Sequence, residues 1–137
     1  MLEVRGTDVV PLPLMMAHTA LWVGLLYDAG ARAAAWELTR RWPFDERLAF
    51  QAGVARSALG ARSTSGALAL DLARELLEIA RGGLAAWARE SGFDGRPHLD
   101  AASDIVASGK TLAERALAAW VAAGKDPQAL VRFWQVA

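Results

Sequence analysis

Cysteine is absent from the 137 residues. Disulfide frameworks, thiolate zinc sites and cysteine nucleophiles are therefore excluded, and a reducing compartment, the cytoplasm, is the expected location. Charge of one sign is also missing, since 15 Lys plus Arg balance 15 Asp plus Glu. Proteins that act on nucleic acid or anionic membranes rely on a basic excess, so neither partner is expected here. Lysine is reduced to Lys110 and Lys125, and histidine to His18 and His98. The N-terminus shows no basic flank followed by an apolar stretch and a small-residue cleavage site, so no signal peptide is expected.

Long apolar runs are scarce too, with one segment that needs a membrane test. Residues 9–27 carry no charge. Pro11 and Pro13 leave regular helix only from Leu14, and that helix contains His18, Thr19 and Gly24. From Leu14 to Tyr27 it would rise about 21 Å, short of a hydrocarbon core of roughly 30 Å. The expectation is a helix buried on all sides.

What is present favours helix. Apolar residues make up 54% of the chain, alanine is abundant, and β-branched residues thin out after the first ten positions. The length suits one domain, which buries about two-thirds of its unfolded surface. Residues 2–6 alternate Leu, Glu, Val, Arg, Gly and are the one convincing strand. Helices are expected from 14 to 136. The segment 31–41 should turn Ala35, Trp36 and Leu38 inward, and Asp45 should cap a helix reaching about Ala58. Residues 60–66 form a polar link. The longest helix should span about 66–90, with a bend or a close helix contact at Gly82 and Gly83. A helix from about Leu99 ends at Gly109, Thr111 and Glu114 read as a capping box, and Asp126 with Pro127 opens a last helix.

Few residues carry chemistry. There is no phosphate-cradling glycine loop with its lysine, no histidine pair at ligand spacing and no nucleophile elbow. His18 reads as a core residue and His98 as a solvated loop residue. Trp22, Trp36, Trp87 and Trp120 read as core, with Trp42 and Trp134 near element ends. On the strand, Glu3 and Arg5 project from one face, roughly 7 Å apart. A carboxylate is a hard ligand for Mg²⁺ and a guanidinium forks onto phosphate oxygens, although such a triplet is usually a surface pair.

The run Leu-Glu-Val-Arg-Gly-Thr-Asp at 2–8, followed by Leu-Trp-Val-Gly-Leu-Leu-Tyr-Asp at 21–28, closely resembles the C-terminal part of plant-type and proteobacterial glutamate-cysteine ligase. Gly60-Ala61-Arg62, Gly83-Leu84 and Ile105-Val106-Ala107-Ser108-Gly109 before Thr111 and Glu114 continue the resemblance in the same order. It implies a mainly α chain: the helical C-terminal segment of a glutamine-synthetase-like α+β fold, with one short N-terminal strand. It also implies an ATP-dependent ligase in which ATP phosphorylates the γ-carboxylate of L-glutamate and the amine of L-cysteine attacks the acyl phosphate. That is the first step of glutathione synthesis. Glu3 matches the strand carboxylate that ligates a catalytic Mg²⁺, and Arg5 the catalytic arginine that contacts the transferring ATP phosphate.

The departures matter as well. Where the family often carries a tryptophan and two arginines after the strand, this chain has Leu12, Pro13 and Leu14, and where plant members place a redox-sensitive cysteine it has Met16. The family's other metal carboxylates and most of its ATP contacts lie upstream of the matched stretch. The expectation is therefore a C-terminal ligase segment, inactive as an isolated chain, with an N-terminal ligase fragment as a possible partner. The alternative is a non-catalytic helical interaction module on the same scaffold.

Overall fold

The computed structural model describes residues 10–135, and seven α-helices are found among them. They are α1 (Leu12–Leu26), α2 (Ala29–Thr39), α3 (Phe44–Ser57), α4 (Ala69–Ser91), α5 (Asp100–Ser108), α6 (Leu112–Ala122) and α7 (Pro127–Trp134). The expected strand at 2–6 lies outside the described residues, as does residue 136, the expected end of the last helix. The mainly α architecture is as the sequence reading had it.

Several helix ends follow from single residues. The Asp28 carboxylate accepts from the Ala31 amide at 2.8 Å and starts α2. Thr111 and Glu114 form the capping box of α6: the Glu114 amide donates to the Thr111 hydroxyl, and Glu114 accepts in return from the Thr111 amide at 2.8 Å. Asp126 caps α7 with Pro127 in its first turn, and Gly109, in the left-handed region at φ 64°, ends α5. These satisfy amides and carbonyls that a helix terminus leaves without partners.

Other expectations are corrected. Helix α1 starts at Leu12, two residues earlier than expected, because Pro13 occupies the first turn, where its missing N–H costs nothing. Asp45 does not cap α3. The backbone is already extended at Pro43, which takes the cap position, and Asp45 and Glu46 sit in the first turn, facing the positive end of the helix dipole. Helix α4 begins at Ala69, since an antiparallel bridge between Arg62 and Leu68 keeps the preceding segment in a tight loop.

Helices α1 and α4 form the central pair, with the core at Ala20, Leu25, Leu77, Ala80, Leu84 and Leu99. Their approach is set by glycine. A Cβ on Gly83 would overlap the carbonyl oxygen of Gly24, and a Cβ on Gly24 would lie 2.9 Å from the Cα of Ala80. The close contact expected at the Gly82-Gly83 pair is thus made by Gly83, and Gly82 faces open space. Helix α2 packs beside this pair through Ala31, yet its Trp36 is 58% exposed, against the expectation of a core indole. The face of α2 turned inward is the one holding small Ala31, because Gly83 leaves room for no larger side chain there. Helices α6 and α7 pack mainly on each other. Among the described residues no helix is long and apolar enough to cross a membrane.

Candidate functional site

The two residues singled out for chemistry, Glu3 and Arg5, lie outside the described residues, so no geometry is assigned to them. Among the described residues no group of three or more histidines and carboxylates could hold a metal ion. The helices that follow present surfaces rather than a ligand cluster. Several of these surfaces are hollowed, one of them between α4 and α5 at Arg74, Leu77, Arg81 and Val106, and two are mainly apolar.

The first lies along α1. One side of this helix is buried at Ala17, Ala20 and Gly24, while Leu12, Met15, Met16 and Thr19, at positions i, i+3, i+4 and i+7, form an exposed stripe. Beside the stripe, a hollow of about 170 Å³ is walled by Met16, Val23, Trp87, Phe93 and His98, and a second of about 340 Å³ by Leu12, Pro13, Met16, Pro97 and Ala101. His98 is not a solvated loop residue. It sits half-buried in a 3-10 turn at Arg96–Leu99 and stacks on Phe93, ring centroids 6.0 Å apart, while Phe93 meets Trp87 edge to face at 5.9 Å. His18 is likewise part of a packed pair, its Nε2 accepting from the Trp22 indole N–H at 3.0 Å.

The second surface is a groove of about 460 Å³ between α2, α3 and α4, lined by Leu38, Trp42, Phe50, Val54, Leu72 and Leu76. Helix α3 contributes no buried residue, and two adjacent residues near its start tie it to the segments on either side. The Arg47 guanidinium donates to the carbonyls of Thr39 and Trp42, each at 3.1 Å. Glu46 accepts from the Ser65 amide at 3.1 Å and from the Ser65 hydroxyl at 2.7 Å, across 19 residues of sequence. The Ser65 hydroxyl, with its amide in second place, holds the Glu46 carboxyl below its ordinary range.

Several other polar groups make local ties. Arg96 donates to both carboxylate oxygens of Asp94, each at 2.8 Å, and this pairing lowers Asp94 to about 2. The Thr111 amide and hydroxyl lower Glu114 in the same way. Arg81 donates to Ser103 at 2.7 Å, and Ser103 donates to the Leu99 carbonyl, joining α4 to α5. Sequence reasoning missed the Trp87-Phe93-His98 stack and the Glu46-Ser65 tie. The only signal for either was an aromatic or a carboxylate with no local partner.

The fold and these surfaces define a helical scaffold segment, in which several polar groups serve caps and ties and two hollowed faces are apolar. Comparison with known families makes this specific. The family model of glutamate-cysteine ligase family 2 matches residues 1–131, and the chain belongs to that family. It is similar to the chloroplastic glutamate-cysteine ligases of Medicago truncatula, 36% identical, Arabidopsis thaliana, 35%, and Solanum lycopersicum, 32%, each over 116 residues. The alignments take in 85% of this chain but 22%, 21% and 21% of those proteins. The chain thus spans about a fifth of the length of the relatives it matches.

Proposed function

We propose that this chain is the C-terminal helical segment of an ATP-dependent glutamate-cysteine ligase, and that it forms no γ-glutamylcysteine by itself. The observation that carries this is the family match over residues 1–131 together with a span of only about a fifth of the relatives. The substrates of the assembled enzyme are L-glutamate, L-cysteine and ATP, and its compartment is the cytoplasm. Glu3 is the residue of this chain that would hold Mg²⁺, since its carboxylate supplies the hard oxygen such an ion prefers. The ion would neutralise phosphate charge when bound. Arg5 contributes a guanidinium that pairs with phosphate oxygens of the nucleotide. Helix α1 follows them closely in sequence and is locked onto α4 at Gly24 and Gly83.

The test is to combine the purified chain with the rest of a ligase, from which the matching segment has been removed, and to follow γ-glutamylcysteine formation. Activity is expected only in the mixture. ADP release by the chain alone, given ATP, Mg²⁺, glutamate and cysteine, would overturn the claim of dependence, and an inactive mixture would overturn the assignment. The exposed stripe on α1 favours one second reading, a non-catalytic interaction module, which would bind the remainder without restoring turnover.

A further inference from the structure

Helix α1 has no charged residue and is apolar around its whole circumference. Such a helix is stable in water only when covered on every side, because each exposed apolar group keeps its hydration cost. Among the described residues only one side of α1 is covered. On the other, Leu12 is 63% exposed, Met15 48% and Met16 39%. The two hollows beside this stripe share Met16 and His98 as walls and lie side by side, together a groove-like face from the start of α1 to Trp87. The groove's polar groups are few, and Asp100 at its edge already faces Arg81 at 3.6 Å. Its occupant must therefore be apolar.

The length of the relatives identifies that occupant. About four-fifths of each relative lies outside the stretch this chain matches, and that portion must meet the segment somewhere. The groove opens at Leu12 and Pro13, the N-terminal end of α1, and the family match runs through this helix and on both sides of it in sequence. We infer that the groove formed by α1 and the 3-10 turn at Arg96–Leu99 is the seat of the rest of the ligase fold, which lays an apolar segment along Leu12, Met15 and Met16. This inference rests on the functional reading above and names the surface through which that assembly forms. A long apolar helix with one bare face is then the half of a core whose other half lies elsewhere in the ligase.

Methionine oxidation tests it directly, because Met15 and Met16 lie in the stripe and sulfoxide formation follows exposure. The 137-residue chain is compared with a chimera in which it replaces the matching segment of the Medicago truncatula ligase, with peroxide as the oxidant and mass spectrometry as the readout. Oxidation of Met16 is expected to be roughly tenfold slower in the chimera than in the chain alone. Equal rates in a cooperatively folding chimera would overturn the inference. So would protection of exposed Trp36 in place of the methionines, which would put the interface on α2. Protection that grows with the concentration of the isolated chain would also overturn it, in favour of a second copy as the occupant. A chimera without cooperative unfolding counts against it too, since a segment that seats correctly restores the fold. Activity is read separately: a protected but inactive chimera leaves the interface standing and removes the catalytic assignment, and an active chimera with unprotected methionines does the reverse.

Discussion

Gly24 and Gly83 face each other across the α1–α4 crossing so closely that a Cβ on Gly83 would overlap the Gly24 carbonyl oxygen and lie 2.9 Å from the Cβ of Ala31. The obstructing atoms include main chain, which cannot rotate away. Gly83→Ala should therefore cost about 3 kcal/mol or more, at the upper end of what overpacking costs. Gly82→Ala, one residue earlier with open space around its Cα, should instead stabilise by up to about 1 kcal/mol through helix propensity. Chemical denaturation of the two variants checks the contrast, and similar effects would show that the helices do not cross there.

The start of α6 depends on a side-chain cap. Thr111→Ala removes the hydroxyl that accepts from the Glu114 amide and should cost about 1 kcal/mol. Because α6 and α7 pack mainly on each other, the loss should be local. Hydrogen exchange should quicken across residues 111–134 and stay unchanged in α1 and α4.

Asp94 sets an acid limit. Its pairing with Arg96 lowers the folded carboxyl to about 2 from an ordinary value of 3.8, so between those values the unfolded chain binds the proton more readily than the folded one. Stability from this group is present above pH 3.8 and is lost as pH falls through about 2. Asp94→Asn should flatten that part of the stability curve below pH 4, and the effect should be small because the pair is exposed. Glu46, held low by Ser65, should behave in the same direction, and Ser65→Ala should remove its share.

In the assembled enzyme, Glu3→Ala and Arg5→Ala should each abolish γ-glutamylcysteine formation while leaving the helical circular dichroism of the chain unchanged. Undiminished turnover in either variant would remove that residue from the catalytic role proposed for it.

Local features were readable before the fold was known. The Thr111 capping box, the Asp126-Pro127 start and the Gly109 stop each involve residues within one turn of one another, so spacing alone identifies them. Asp45 was misread because Asp is a good cap wherever the chain turns, and the extended Pro43 had already made the turn. Trp36 was misread because its helix has two plausible apolar sides, and the Gly83 contact selects the side with Ala31. The Glu46-Ser65 tie and the His98-Phe93 stack join residues that no pattern relates. The assignment of Glu3 and Arg5 rests on alternation and family resemblance, and both lie outside the described residues.

The sequence by itself determined that this chain is helical, where α5, α6 and α7 begin, and to which family it belongs, because those depend on local hydrogen bonding and on residue order. It could not say which side of α1 is covered, since a helix apolar all round carries no phase in its pattern. Only the tertiary structure decided that: the two glycines let α4 approach one face to backbone contact and left Leu12, Met15 and Met16 open on the other.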